Sequence, residues 1–197
     1  MNAPLPSTFF QRDVLTVARA LLGKVLVSRV ADTEVRLRLT ETEAYHQSER
    51  GSHTYGGRRT ARTEPMFAAG GISYVYFVYG MHWQFNVVTG LAGVGEAVLL
   101  RAGVPLTDTD AQVVATRRFA ERPRPRDVAK WCDGPAKLTQ ALALDKAMNA
   151  MALTPERAVW LEDAPEVEEA HVARVPRVGI DYAGADAALP WRFLLRD

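Results

Sequence analysis

The amino-acid sequence predicts an α+β fold: a single compact domain over residues 1–197, with a curved, mostly antiparallel β-sheet flanked by helices and a protruding β-hairpin. Segments that alternate apolar and polar residues are more numerous than segments with helical spacing, and short turns join them. Hydrophobic residues make up 48% of the 197 residues, which is enough for a core at this length. No linker-like stretch divides the chain, so a second domain is not expected.

Each predicted element follows from a local pattern. Helical spacing of apolar residues predicts helices at residues 7–23, 107–122 and 134–144. Ser7 or Thr8 is the expected cap of the first helix, and Gly23 its end. The segments that predict strands are 24–30, 35–45, 72–88 (two strands bent at Gly80) and 96–106, with shorter strands in AVWLE (158–162), RVPRVGI (174–180) and WRFLL (191–195). A turn is expected at residues 31–33, and residues 46–64 predict a long ordered loop of the kind that is often functional.

The composition excludes several classes of protein. The net charge of +1 argues against a generic binder of polyanions. Arginine nevertheless accounts for 20 of the 24 basic residues, which reflects either codon preference or a need for phosphate contacts. The lone cysteine, Cys132, permits no internal disulfide, and the four histidines lack the spacing of metal ligands. No apolar run approaches the ~20 residues of a membrane span, and no secretion signal is recognisable. We therefore expect no metal, no cofactor, no membrane association and a cytoplasmic location.

The strand at residues 35–45 contains the best candidate for a site. Alternation along it predicts that one face carries Leu37, Leu39, Glu41, Glu43 and Tyr45. If the leucines face the core, two carboxylates are carried inward, and such burial is costly unless the charge is paired or used. The alternative is that the end of the strand emerges into water, where glutamate is harmless.

Arg101 is the second unusual residue, because it closes the apolar run AVLLR. Drawn inside with that run, it would pair with Glu41 or Glu43, keep the carboxylate ionised and help to orient a water molecule. A simple structural ion pair is the alternative, and the two interpretations are compatible.

The hairpin around Gly80 carries apolar and aromatic residues where tips are normally polar: Tyr79, Met81, His82 and Trp83. Exposed aromatic residues at a tip are typical of a stacking surface or of a wedge that enters DNA. Ordinary packing under a neighbouring loop is the alternative, and on these residues alone it is the simpler one.

Basic residues cluster in two loops and at one predicted helix terminus. The glycine-rich loop 56–63 and the N-terminus of the helix at Gly134 both suit contacts with phosphate. The candidate phosphate contacts are Arg58, Arg59, Thr60, Arg62 and Lys137. A second basic region spans residues 117–126. Each signal is weak alone, because runs of charge are usually solvated faces.

The motifs converge when taken in chain order. They are ETEAY (41–45), His53, GGRRTAR (56–62), MF (66–67), YVYFVYGMHWQFNVV (74–88), AVLLRA (97–102) and GPAKLTQAL (134–142). Together they resemble the alkyladenine DNA glycosylase family, also called the methylpurine or 3-methyladenine DNA glycosylase family. The resemblance covers roughly residues 10–195, and ETEAY followed by YVYxxYGM is its most specific part.

The resemblance implies a role for each matching residue. Glu43 corresponds to the general base that activates water, and Arg101 to the arginine that helps to hold that water. The base pocket would be lined by Tyr45, His53, Tyr76 and Asn86. Tyr79 corresponds to the side chain that fills the place of the flipped base, with Met81 and His82 beside it. This chain departs from common family residues at His82, Gln84 and Ala61, which affects substrate preference and groove contacts more than the reaction.

The implied activity is that of a monofunctional DNA glycosylase acting as a monomer on double-stranded DNA with damaged purines. No lysine is placed to form a Schiff base, so strand cleavage is not expected. Action on DNA would place the protein at the nucleoid of a bacterial cytoplasm or in a eukaryotic nucleus. Two other functions remain open: a non-catalytic nucleic-acid-binding module, and a small-molecule hydrolase that uses Glu43 and Arg101.

Overall fold

An antiparallel sheet of eight strands organises residues 2–30 and 32–196, the part of the chain that this computed structural model describes. The strands are β1 Val25–Val30, β2 Thr33–His46, β3 Ser73–Val78, β4 His82–Val88, β5 Glu96–Pro105, β6 Val159–Glu162, β7 Val172–Val175 and β8 Arg192–Leu195. Their spatial order is β3-β4-β5-β2-β1-β6, and β8 pairs with both β2 and β7. Helices pack against this sheet, so the predicted α+β class is confirmed.

The α-helices of the described residues are α1 Ser7–Phe10, α2 Val14–Ala20, α3 Asp108–Phe119 and α4 Pro135–Leu142. Helices α2, α3 and α4 contact β2, β4 and β5 and enclose the main apolar core with them. Leu21, Leu39 and Leu138 are among the large side chains that are fully buried there. No helix in the described ranges combines the length and the apolar character needed to cross a membrane.

The single helix predicted at residues 7–23 is wrong, because two short helices occupy this segment. The carbonyls of Phe10 and Arg12 both accept the backbone N–H of Gly90, so they are turned away from a continuous helix. Asp13 then caps α2 by accepting the N–H of Thr16 at 3.0 Å. The predicted cap at residue 7 or 8 is also wrong, since the N-cap of α1 is Pro6 and makes no side-chain bond.

The other predicted elements form close to their expected positions, with one exception. Thr107 and Asp110 form a capping box at the start of α3. The segment RVPRVGI contributes only its first two residues to a strand, because β7 ends at Val175 and residues 176–180 leave the sheet. The predicted turn at residues 31–33 lies partly outside the described residues, since residue 31 is not among them.

The prediction that Leu37, Leu39, Glu41, Glu43 and Tyr45 share one face of β2 is also wrong. The pairing of β2 with β5 shifts on both sides of Glu41. As a result Leu39 and Thr42, three residues apart, both face the main core: Leu39 belongs to the apolar cluster, and the Thr42 hydroxyl donates to a carbonyl of α2 at 2.8 Å. The irregularity inverts the strand, so Glu41, Glu43 and Tyr45 face the opposite side of the sheet from the leucines.

Candidate active site

A cavity of about 500 Å³ opens on the side of the sheet to which β2 turns Glu43 and Tyr45. Its wall is built by β2, β3, β4 and β5, by the loop that follows β2, and by residues 178–182. The lining residues include Tyr45, His53, Arg62, Tyr74, Tyr76, Asn86, Leu99, Arg101, Val178 and Tyr182. Aromatic faces with a few converging polar groups, in a space of this size, are typical of a site for a planar organic ligand.

Glu43 lies directly behind this wall and is completely buried, with 0% exposure. The Tyr45 hydroxyl donates to its Oε2 at 2.8 Å, and Arg101 Nη1 donates to the same oxygen at 3.3 Å. The backbone N–H of Val178 donates to Oε1 at 2.8 Å. All three donors belong to residues that line the cavity. A carboxylate offers about four acceptor positions, so these bonds hold Glu43 rigidly and leave capacity for one further donor at Oε1.

Arg101 joins the two glutamates of β2 rather than choosing between them. Its Nε donates to Glu41 Oε1 at 2.9 Å, while its Nη1 reaches Glu43. Arg192 Nη1 donates to the same Glu41 oxygen at 2.9 Å. Burial alone would lower the pKa of Arg101, but the charges of Glu43 and Glu41 raise it above its ordinary value. The guanidinium therefore stays charged. It forms the ion pair that was the structural alternative, and it also lies in the wall of the cavity.

The aromatic wall is ordered by contacts among its own members. The His53 ring meets the Tyr76 ring edge-on at 4.7 Å between centroids, and its Nδ1 lies 2.9 Å from the Tyr74 hydroxyl. Burial and the nearby charge of Arg62 lower the pKa of His53 to about 4, so the imidazole is neutral at physiological pH. Burial raises the pKa of Tyr76, and burial together with the Glu43 charge raises that of Tyr45.

The polar members of this wall are similarly fixed. The Tyr76 hydroxyl donates to Gln84 Oε1 at 2.5 Å. Asn86 is buried, and its Nδ2 donates to the Tyr74 carbonyl at 3.0 Å. Each side chain that the resemblance assigned to a base pocket therefore borders this one cavity.

The tip of the β3–β4 hairpin projects into solvent at the mouth of the cavity. Tyr79 is 82% exposed and Met81 is 67% exposed, so packing of these two side chains under a neighbouring loop is wrong. Trp83 differs, because it is half-buried and packs on Phe77 at 4.6 Å between ring centroids. Tyr79 and Gly80 both have positive φ, 52° and 66°, and the Met81 N–H donates to the Val78 carbonyl. This is the type I′ arrangement of tight hairpins, and it is strained for tyrosine.

The predicted phosphate contacts separate into different settings. Arg62 is exposed, but it borders the cavity and its guanidinium lies 5.0 Å from the centre of the Tyr76 ring. Arg59 lies 3.4 Å from Glu64 and above the Phe67 ring. Arg58 and Thr60 are exposed beside it. Lys137 is paired with Asp133 at 2.5 Å and lines a second groove, about 840 Å³, together with Met81 and His82.

Sequence reasoning missed the segment 177–182. Val178 acts through its backbone N–H, for which a side chain gives no signal. Tyr182 is 71% exposed and borders the cavity, but it is about 100 residues from the hairpin tip in sequence and lies outside every motif named above. No cluster of three or more His, Cys, Asp or Glu side chains suited to a metal ion occurs within the described residues.

Comparison with known proteins supports the resemblance on which the residue roles depend. The model of the methylpurine-DNA glycosylase family matches residues 8–197. A Clostridium botulinum protein, assigned as a 3-methyladenine DNA glycosylase, is 40% identical over 193 residues, covering 96% of this chain and 94% of that protein. A Desulfitobacterium hafniense protein with the same assignment is 42% identical, covering 96% and 93%. The human DNA-3-methyladenine glycosylase is 42% identical over 95% of this chain and 64% of its own length. This chain belongs to the methylpurine-DNA glycosylase family.

Proposed function

We propose that this protein is a monofunctional DNA glycosylase of base excision repair. It flips an alkylated or deaminated purine out of double-stranded DNA and hydrolyses the N-glycosidic bond, leaving an abasic site. The observation that carries the proposal is the position of Glu43: a wholly buried carboxylate, fixed by three donors, immediately behind an aromatic cavity that opens beside an exposed tyrosine.

Flipping explains why an aromatic residue occupies the tip of the hairpin. The glycosidic bond inside a duplex is out of reach, so the nucleotide must rotate out, which costs a few kcal/mol and least for a damaged or mispaired base. Tyr79 would enter the duplex and take the place of the extruded base. Met81 and His82, which are exposed at the same tip, would border the groove.

The cavity would hold the extruded purine between aromatic faces. Tyr45, His53 and Tyr76 would contact the ring, and stacking of this kind is worth ~1–3 kcal/mol per base while tolerating different bases. A cationic base such as 3-methyladenine or 7-methylguanine is drawn further to these faces. Asn86 borders the same space, where it would crowd a base that carries an additional amino group.

In the chemical step, Glu43 accepts a proton from a water molecule as the water oxygen bonds to C1′. The C1′–N bond breaks, and its electron pair leaves with the purine. The nearby carboxylate also stabilises the positive charge that develops on the sugar ring. An alkylated cationic purine leaves as a neutral molecule, whereas a neutral lesion such as hypoxanthine or ethenoadenine needs a proton on the leaving base.

The side chains around Glu43 hold its carboxylate in place for this role. Arg101 donates to both Glu41 and Glu43, so its positive charge lies beside the carboxylate that is to accept the proton. The protein is proposed to act as a monomer. Double-stranded DNA is the partner, so the protein would act at the nucleoid of a bacterium or in a eukaryotic nucleus.

A base-release assay tests the proposal. The protein is incubated with duplexes that carry 7-methylguanine, hypoxanthine or ethenoadenine, with alkylated DNA that contains 3-methyladenine, and with a matched undamaged duplex. We expect free purine from at least one lesion and strand breaks only after alkaline treatment. Tight binding to a lesion duplex without free purine from any substrate would favour the non-catalytic module instead. Absence of salt-dependent binding to duplex DNA would favour the small-molecule hydrolase.

A further inference from the structure

The segment that gives Glu43 its backbone donor is held by one buried side chain. Residues 176–180 have left the sheet, yet the N–H of Val178 lies 2.8 Å from Glu43 Oε1. The preceding residue, Arg177, has a fully buried side chain. Its Nη1 donates to Glu49 Oε1 at 2.7 Å and its Nη2 to Glu49 Oε2 at 2.7 Å, a bidentate pair.

The same guanidinium also contacts β2 at the site itself. Arg177 Nη1 donates to the carbonyl of Ala44 at 2.8 Å, and Ala44 lies between Glu43 and Tyr45 in the strand. The guanidinium carbon lies 4.7 Å from the centre of the Tyr45 ring. The Arg177 side chain therefore contacts both the backbone between Glu43 and Tyr45 and the Tyr45 ring. The next residue along the chain, Val178, supplies the N–H that Glu43 accepts.

Glu49 has no acceptor position left for any other partner. Besides Arg177, its Oε1 accepts the N–H of His46 at 3.4 Å and its Oε2 accepts the N–H of Gly51 at 2.7 Å. A side chain at residue 51 would disturb this pair, because a Cβ there would lie 2.9 Å from Glu49 Oε2 and 3.3 Å from Arg177 Nη2. The loop after β2 is thus shaped around the ion pair.

Stability is a poor explanation for this arrangement. A buried ion pair gains little over apolar packing, because both charges lose their hydration. Arg177 Nε is buried and has no hydrogen-bond partner among the described residues, which is a further cost. The Arg177–Glu49 pair thus adds little to the free energy of unfolding, yet it adjoins the donor to Glu43. The position that it gives to the Val178 N–H explains it better.

We propose that Arg177 is a positioning residue for Glu43: clamped by Glu49, it holds the Val178 N–H, the Ala44 carbonyl and the Tyr45 ring in the arrangement that orients the carboxylate. The inference rests on the proposed function, since it concerns the same reaction. Arg177 itself does not contact the DNA in this account, and a lysine in its place keeps a cation beside the Tyr45 ring. R177K should therefore act on the rate of bond cleavage far more than on binding.

Single-turnover kinetics with enzyme in excess test the proposal, on a lesion duplex that the unchanged protein processes. We expect R177K to lower the maximal rate constant on the order of 100-fold, the effect of misplacing a reacting group by about 1 Å. The dissociation constant for the lesion duplex should stay within about 3-fold. E49Q, which keeps Arg177 and loses the charged partner, should change the same rate constant in the same direction, but less.

R174K is the matched control, because it makes the same substitution in the same segment at a half-exposed arginine that pairs with Glu169 at the surface. It should leave both constants unchanged. A merely structural role for Arg177 would lower the amplitude of the reaction, as the folded fraction falls, and leave the rate constant intact. That result, or an unchanged rate constant in R177K, overturns the proposal. If R177K does not fold, an unchanged rate constant in E49Q overturns it. Failure of the unchanged protein to release any purine refutes the proposed function itself.

Discussion

Replacing Tyr79 by glycine is expected to make the protein more stable and less able to flip a base. The tyrosine has φ of 52°, a left-handed conformation that costs an L-residue ~1–2 kcal/mol. Glycine removes this cost, but it also destabilises the folded state by about 0.4–1 kcal/mol, because the unfolded chain gains conformational freedom. The ring is 82% exposed, so little packing is lost. The net gain of about 0.5–1 kcal/mol corresponds to a rise in Tm of roughly 1–4 °C.

The functional loss has the opposite sign. A stacking contact is worth ~1–3 kcal/mol, so without the ring the flipped population should fall about 5- to 150-fold. Tyr79→Ser is the matched control, since it removes the ring and keeps the backbone strain. Both variants should flip poorly in a fluorescent-base assay, whereas only the glycine variant should melt above the unchanged protein. Equal Tm values for the two variants would refute the strain argument, and normal flipping by either would refute the wedge.

Two further predictions concern stability. The folded state lowers the pKa of His53 from 6.5 to about 4. Between these two pH values the unfolded chain binds a proton and the folded chain does not. The free energy of unfolding therefore falls as the pH drops from about 6.5 to about 4. His53→Gln should therefore lose less stability between about pH 7 and pH 5 in urea denaturation, and equal losses would contradict the assignment. Gly90→Ala should destabilise by about 2–4 kcal/mol, because φ is 74° and the new Cβ would displace the buried Glu96 carboxylate, which accepts a hydrogen bond from the Thr89 hydroxyl. Gly93→Ala, at a φ of 97° with nothing within 4 Å, should cost only the strain of about 1–2 kcal/mol, and thermal melts that show equal costs would argue against the contact.

The sequence predicted the fold class because alternation is a local signal that short strands retain. It did not predict the break after α1, since the carbonyls of Phe10 and Arg12 bond to Gly90, far away in sequence. Local propensity contains no information about such a partner. The first helix therefore ends at Phe10 because of a contact with a residue 80 positions further along the chain.

The candidate site shows the same division. Glu43 and Arg101 stand out by their residue types in apolar strands; Arg101 lines the cavity, and Glu43 lies directly behind its wall. The predicted face of β2 was nevertheless wrong, because the irregularity at Glu41 inverts the strand and no residue type there indicates it. The contribution of Val178 was also beyond reach, since it depends on a backbone N–H placed by Arg177 and Glu49.

In the proposed reaction, the Glu43 carboxylate activates the water that replaces the purine. Glu43→Gln keeps the shape of the side chain and removes the charge, so its single-turnover rate of purine release measures what the carboxylate contributes. We expect the rate to fall by about 10²- to 10⁴-fold, the contribution of a general base, while the affinity for the lesion duplex is retained. Release of purine by the glutamine variant at the rate of the unchanged protein would show that Glu43 is not the general base.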